Sequence, residues 1–200
     1  MLNIALRAAR DAGDALALSF ERRDAIAAET DSQGRLATKQ DGDALKTLAF
    51  HLEKSFPNHG IQSRLHDKPA DQQVATMWHL DCLLGPDNFL AGHPACGLSL
   101  AAEVKGRIEH AVLVFPLLHE EFTASRGAGA QLNARRIRVQ QGPFSKRMLV
   151  GSHSDSGSPP EGLTSFIREN SLLLRDCGCA ELDLCMAACG RLAAGWHGLG

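Results

Sequence analysis

The chain has 200 residues, 44% of them hydrophobic, which is typical of a globular protein that forms one domain. Its 21 basic and 23 acidic residues give a formal net charge of −2, and neither sign is gathered into a long run, so direct nucleic-acid binding is not suggested. No apolar run approaches the roughly 20 residues that a membrane span requires. Six irregularly spaced cysteines are too few for a secreted disulfide scaffold. We therefore expect a cytoplasmic protein with reduced thiols.

The first part of the sequence predicts two helices. Apolar residues recur at helical spacing from Leu2 to Phe20, and more clearly from Asp43 to Phe56. Asp41 or Asp43 can cap the second helix. Asp41 therefore lies at the mouth of a helix, where a carboxylate can serve as a cap or as a site residue. Polar, irregular stretches that predict loops lie at 21–34 and 62–75.

The pattern after residue 97 is that of strands separated by short turns, which predicts an antiparallel meander. Its members are Leu98–Val104, Ile108–Phe115, Glu120–Ser125 and Arg136–Val139. The remainder is mixed, with a strand at Met148–Ser152, a short helix through Phe166 and Ile167, an apolar run at Leu172–Leu174, and a last helix with Leu182, Cys185, Met186 and Cys189 on one face. Two helices, a run of strands and then mixed structure predict a layered protein that combines α and β elements.

The segment from Trp78 to Phe89 is the centre of the predicted site. An apolar strand there delivers Asp81 into a turn built on Gly85 and Pro86. A carboxylate in such a place is either a structural strand-end residue or part of a functional site. Composition and periodicity do not decide between the two.

Five segments resemble the inositol monophosphatase family, and in particular its bacterial extragenic-suppressor branch. They are MLNIALRAARDAGDA at the N-terminus, SFPNHGI at Ser55–Ile61, KGRIEHAV at Lys105–Val112, EEFTASRGAGAQLNARRIRV at Glu120–Val139 and AELDLCMAACGR at Ala180–Arg191. The resemblance implies an α/β (α+β) fold, the layered α-β-α-β-α sandwich of the inositol monophosphatase and fructose-bisphosphatase type. It also implies a homodimeric, Mg²⁺-dependent hydrolase of phosphate monoesters, since clustered Mg²⁺ ions held by oxygen ligands polarise the phosphate and activate water.

The family's metal motif, DPxDGT, falls on residues 81–86. By this resemblance Asp81 is a metal ligand and a catalytic residue, Asp41 is a second catalytic residue, and Gly85 contacts substrate. Leu84 stands in the place of the second metal carboxylate, and leucine cannot coordinate Mg²⁺. Pro86 replaces the threonine that orients the attacking water, and proline also lacks the N–H that would face the phosphate.

Further departures from the family pattern occur elsewhere in the chain. Arg64 and Leu65 stand in the place of two paired glutamates, and Arg64 can act as a charge surrogate beside Asp81. Arg35 stands where an acid is usual. His197 stands about where a glutamate holds the inositol ring, so it is predicted to bind substrate. The chain stops short of the family's tryptophan-aspartate metal motif, which predicts a domain over 1–200 that lacks the last C-terminal elements.

These replacements predict weak Mg²⁺ binding and weak or absent hydrolysis of substrates such as inositol phosphate. Asp67, Asp71 and Asp87 are the residues that can restore oxygen ligands. The alternative is a non-catalytic module, because the branch that the chain resembles acts in transcription antitermination and ribosomal RNA maturation through protein partners. No direct binding of nucleic acid and no membrane attachment are expected in either case.

Three other patterns have structural as well as functional interpretations. Cys177, Cys179, Cys185 and Cys189, with His197, supply zinc-type ligands, but their spacing matches no standard zinc site. Residues 152–155 contain the residue types of a hydrolase triad without its geometry. Gly127 and Gly129 follow a strand but precede no helix, so they predict a hairpin turn and not a phosphate loop.

Overall fold

The computed structural model describes residues 1–22, 28–30, 36–63, 65, 74–154 and 161–198. The chain divides into two compact units, residues 1–135 and residues 136–200. Within the described part of the chain, no helix is both long enough and apolar enough to cross a membrane.

The described residues of the first unit form three helices, one 3₁₀ turn and nine strands. The helices are α1 (Leu2–Phe20), α2 (Lys39–Ser55) and α3 (Pro86–Ala91), and the 3₁₀ turn is Pro116–Leu118. The strands are β1 (Ala28–Thr30), β2 (Leu36–Thr38), β3 (Gly60–Ser63), β4 (Thr76–Leu84), β5 (Gly97–Val104), β6 (Arg107–Phe115), β7 (Glu120–Ser125), β8 (Gly129–Leu132) and β9 (Arg135–Arg136).

A seven-stranded sheet in the order β3-β4-β5-β6-β7-β8-β9 forms the body of this unit. Strand β3 pairs with β4 in parallel, and β4 to β8 pair antiparallel with their sequence neighbours. This arrangement confirms the predicted meander. The hairpin between β7 and β8 pairs Ser125 with Gly129, which confirms the predicted role of the two glycines.

Helices α1 and α2 pack on each other and on one face of this sheet. Four alanines of α1, at positions 5, 8, 9 and 12, are completely buried, and their small side chains allow close packing against the neighbouring elements. Residues at even positions of β4, including Trp78 and Leu80, point into the same core. Because side chains alternate along a strand, the odd positions Met77, His79 and Asp81 lie on the opposite face.

The described residues of the second unit form a three-stranded parallel sheet and two helices. The strands are β10 (Leu149–Ser154), β11 (Leu173–Arg175) and β12 (Ala194–Gly198), in the order β11-β10-β12, and the helices are α4 (Glu161–Glu169) and α5 (Ala180–Ala188). Val150, Ile167 and Leu172 form its buried apolar cluster. Gly190, with φ +77°, follows α5, as the sequence predicts.

Four local predictions need correction. The stretch predicted as a loop at 21–34 contains β1, a three-residue exposed strand without the apolar alternation that predicts one. Helix α2 begins at Lys39, and its cap is Thr38 instead of Asp41 or Asp43. Residues 62 and 63 belong to β3 and not to a loop. The strand predicted to continue to Val139 ends at Arg136.

Candidate functional site

The turn after β4 is built as a strand, a left-handed glycine and a short helix. Gly85 has φ 62° and ψ 54°, a conformation that glycine adopts without the steric cost of a Cβ. Pro86 is the first residue of α3, where its fixed φ is compatible with the helix and its missing N–H costs nothing. The sequence motif predicts the turn but not the helix, which is only six residues long.

Asp81 lies inside β4, opposite Ser99 of β5, and the strand register shifts between Asp81 and Leu84. The backbone N–H of Leu83 donates a hydrogen bond to Asp81 Oδ1 at 3.3 Å. The half-buried carboxylate lines an open depression of about 370 Å³ on the sheet face opposite α1 and α2. Its other lining residues are Gln62, Ser63, His79, Leu80, Ser99 and Ala101.

A histidine-glutamate pair that the sequence does not predict lies beside this depression. His79 Nε2 and Glu103 Oε2 are 2.7 Å apart. The antiparallel register pairs Met77 with Glu103 and His79 with Ala101, so the two polar side chains meet diagonally across neighbouring strands. The polar residues His79 and Asp81 at odd positions of β4 predict a polar face of the sheet. Only the pairing register of β4 with β5 shows that Glu103 lies next to His79.

The described donor set does not fit a multi-Mg²⁺ centre of the family type. Leu84 is 3% exposed and presents only carbon, and the alternative ligand Asp87 is exposed on the first turn of α3. Among the residues that the structure describes, no group of three or more His, Cys, Asp or Glu side chains could hold a metal ion. The predictions on Arg35, Arg64, Asp67 and Asp71 lie outside the described residues.

Asp41 is completely buried and forms part of a capping box at the start of α2. Its Oδ2 accepts hydrogen bonds from the backbone N–H of Thr38 at 2.9 Å and from Thr38 Oγ1 at 3.0 Å. The backbone N–H of Asp41 donates in return to Thr38 Oγ1 at 3.4 Å. Of the two roles that the sequence left open, the structure shows the structural one, at the third helical position and not at the cap itself.

His197 lies in the second unit, on β12, whereas Asp41, Asp81 and Gly85 lie in the first. Its ring is nearly parallel to that of His153 on β10, with centroids 5.9 Å apart and an interplanar angle of 7°. His153 Nδ1 is 3.1 Å from Asp176 Oδ1. His197 Nδ1 is buried and has no hydrogen-bond partner within the described part of the chain.

The two imidazoles share this neighbourhood with a buried carboxyl group on α5. Asp183 is 4% exposed, and its burial raises the pKa of the carboxyl group. Burial also raises the pKa of the nearby Cys177 thiol to about 12, so this thiol stays protonated near neutral pH. A protonated thiol is a poor nucleophile. Among the described residues, no group of three or more His, Cys, Asp or Glu side chains that could hold a metal ion includes Cys177, which favours its structural interpretation.

The fold does not support a hydrolase triad at residues 152–155. Ser152 and His153 are consecutive in β10, and consecutive strand residues point to opposite faces. The acid of this run lies outside the described residues.

The fold and these motifs define a class of protein. A model of the inositol monophosphatase family matches residues 1–199, so the chain belongs to that family. Among its relatives, Nus factor SuhB of Pseudomonas aeruginosa is 37% identical over 210 residues, which cover 98% of this chain and 76% of the relative.

Solved structures show the same fold. The extragenic suppressor protein suhB of Bartonella henselae is 28% identical with a TM-score of 0.84, over 95% of this chain and 75% of that one. Thermotoga maritima IMPase is 25% identical with a TM-score of 0.79, over 96% of this chain and 73% of that one. These comparisons confirm the predicted fold class and the resemblance to the extragenic-suppressor branch.

Proposed function

We propose that this chain keeps the inositol monophosphatase fold but hydrolyses phosphate monoesters weakly or not at all. The observation that carries the proposal is Leu84, which is buried where the family motif has its second metal carboxylate. Mg²⁺ requires oxygen ligands in near-octahedral geometry, and burying an apolar side chain at that position offers none. The family requires Mg²⁺ for hydrolysis, and in this proposal the chain offers Mg²⁺ only a weak site.

The remaining site residues keep reduced roles in this proposal. Asp81 retains what metal affinity is left and acts as the catalytic carboxylate. Asp41 keeps its capping-box role at the start of α2, and the catalytic role that the family resemblance implies for it is proposed in addition. Gly85, in the first unit, keeps the substrate contact that the family motif implies. For His197, in the second unit, the proposed substrate contact is supported by its buried Nδ1, which has no hydrogen-bond partner among the described residues. As the family resemblance implies, residues 1–200 are proposed to act as one domain made of the two compact units.

The test is release of inorganic phosphate from inositol phosphate in the presence of Mg²⁺, for the wild type and for Asp81→Asn. We expect turnover well below about 1 s⁻¹ for both proteins, because ordinary enzymes work at or above that rate. Wild-type turnover at about 1 s⁻¹ or more, abolished in Asp81→Asn, would show that unexpected residues have rebuilt the site.

The second candidate is a non-catalytic role in transcription, and the relative named Nus factor SuhB favours it. In this role the fold presents a surface to protein partners of the transcription machinery. Asp81→Asn should then bind purified RNA polymerase as tightly as the wild type does, in a surface-based binding assay. A loss of binding in Asp81→Asn would instead tie the partner to the metal-site region.

We also propose a cytoplasmic homodimer, in keeping with the family. Light scattering coupled to size-exclusion chromatography should give twice the 21.5 kDa of one chain. A mass of one chain at micromolar concentration would contradict the dimer.

A further inference from the structure

The net charge of the chain conceals an uneven distribution of basic residues. Between Phe122 and Ser154 there is no aspartate or glutamate. The same interval contains five arginines and one lysine, namely Arg126, Arg135, Arg136, Arg138, Lys146 and Arg147. All six side chains are exposed. These cations are spread among neutral residues, so no run of consecutive charges marks them in the sequence.

None of the six cations is neutralised by an ion pair within the described part of the chain. The ion pairs found there involve cations elsewhere, such as Arg10 with Glu121 and Lys39 with Asp43. Exposed, unpaired cations repel one another, and this repulsion is relieved when an anionic partner binds.

The last four of these cations lie on residues 136–147 at the start of the second unit, an irregular segment that we call the basic strap. Its backbone is held by contacts with the rest of that unit. The N–H of Arg147 donates to Ser171 O at 2.8 Å, and the N–H of Ser145 donates to Met148 Sδ at 3.1 Å. Arg138 O passes so close to Gly190 that a Cβ there would be 3.1 Å away. The strap is therefore packed against the unit while its basic side chains face solvent.

An exposed aromatic residue interrupts the cations of the strap. Phe144 is 46% exposed, and it meets Phe166 of α4, which is 40% exposed, edge to face with ring centroids 5.6 Å apart. Phe144 therefore has an aromatic packing partner while much of its ring stays accessible. An exposed ring flanked in sequence by Arg138 and Lys146 is a combination on which an unpaired base can stack while the backbone phosphates meet the cations.

We propose that the basic strap binds single-stranded RNA. Arginine offers paired N–H donors to phosphate oxygens, and Phe144 offers a stacking surface for a base. An acidic protein segment would use the cations but would leave the aromatic surface without a role, and a duplex keeps its bases stacked on each other. RNA is the single-stranded nucleic acid that a cell contains in quantity. The proposal needs no metal and is independent of the phosphatase site.

The first test is binding of a fluorescein-labelled RNA of mixed sequence and about 20 nucleotides, followed by fluorescence anisotropy as a function of salt. The variant Arg138→Gln/Lys146→Gln/Arg147→Gln removes three charges from the strap. The matched control Arg7→Gln/Arg22→Gln/Arg107→Gln removes three exposed charges from the first unit. Circular dichroism establishes that both variants are folded.

We expect the strap variant to bind RNA about tenfold more weakly or worse at roughly 50 mM salt, and the control to differ by less than about twofold. Three lost phosphate contacts should reduce the slope of log K against log salt by about 2, since each contact contributes about 0.7 for single strands. Equal losses in both variants, or no saturable wild-type binding at about 50 mM salt, would overturn the proposal.

The second test separates stacking from charge. Phe144→Leu should weaken RNA binding roughly fivefold or more without changing the salt slope, whereas Phe50→Leu, which alters an exposed ring on α2, should have no effect. Tighter binding of duplex RNA than of the single strand would contradict the stacking role. Tighter binding of a poly-glutamate peptide would assign the strap to an acidic protein instead.

Discussion

Thr38 and Asp41 begin helix α2 through reciprocal hydrogen bonds in a buried position. Thr38→Ala removes the oxygen that accepts from the N–H of Asp41 and the hydroxyl that donates to its carboxylate. We expect the free energy of unfolding to fall by about 1 kcal/mol, which is typical of a lost N-cap. Urea denaturation followed by circular dichroism measures the change. Thr38→Ser keeps the hydroxyl and should lose less than half as much, so equal losses in the two variants would contradict the capping account.

His59 gives a residue-scale prediction about pH. Its ring stacks on Phe56 at 4.8 Å between centroids, and Trp78 Nε1 donates a hydrogen bond to its Nδ1 at 3.1 Å. Burial, and to a smaller extent the N-terminal ammonium, lower the pKa of His59 below its ordinary value of 6.5. The bond from Trp78 requires an unprotonated Nδ1.

The lowered pKa of His59 makes stability depend on pH in one direction. Below about pH 6.5 the unfolded chain binds the proton while the folded chain does not, so the free energy of unfolding falls as the pH drops. Above that pH both states are neutral at this position and the contribution is constant. Urea denaturation at about pH 7.5 and pH 5.5 should show a smaller decrease for His59→Asn than for the wild type. An identical decrease in both proteins would show that other groups are responsible.

Residue identities predict part of the site and leave part of it open. The motif alignment places Asp81, Leu84 and Gly85 at one turn, and the structure places them at the end of one strand. Whether Asp41 is a cap or a site residue is not decided by the sequence, because the same residue type serves both purposes. The pairing of His153 with Asp176 depends on parallel strand register, which has no local sequence signal.

At the scale of elements, the packing of α5 on the parallel sheet depends on a glycine. A Cβ on Gly151 would lie 2.8 Å from Asp183 Cβ and Cγ and 2.9 Å from Leu192 Cδ1. Gly151→Ala must therefore displace α5 or β10, and we expect the free energy of unfolding to fall by about 1–3 kcal/mol, as for other overpacked sites. Denaturant titration measures the loss.

Gly162 provides the matched control for this substitution. It lies in α4, and nothing lies within 4 Å of a Cβ built on it. Gly162→Ala should leave stability unchanged or raise it by up to about 1 kcal/mol, because alanine is the better helix former. A loss in Gly151→Ala no larger than the change in Gly162→Ala would mean that α5 does not pack tightly at this point.

Elements with strong periodicity are predicted well, and short or exposed ones are not. The helix at Leu2–Phe20 and the strands from Leu98 to Ser125 follow from patterns that burial on one face produces. Strand β1 is exposed along its whole length, and α3 is too short to show a helical period. The sequence pattern predicts the start of α2 at Asp43, later than the observed Lys39, because the first turn of the helix is polar.

For the molecule as a whole, hydrophobic periodicity predicts only a layered protein of α and β elements. The resemblance to the family predicts the specific fold. The structural similarity to the Bartonella henselae protein, with a TM-score of 0.84, confirms that prediction. Neither the family resemblance nor the hydrophobic periodicity predicts the basic strap. Its cations are separated in sequence by neutral residues, and their common exposure is a property of the folded chain.

In the function proposed here, the chain keeps the family fold while its metal centre is incomplete. Isothermal titration of Mg²⁺ into the folded protein, alone and with inositol phosphate or inorganic phosphate, tests it most directly. We expect no saturable heat at low millimolar Mg²⁺ or tighter, for the wild type and for Asp81→Asn alike. Saturable binding in that range by the wild type that is lost in Asp81→Asn would contradict an incomplete metal centre. It would favour the function of a Mg²⁺-dependent phosphatase.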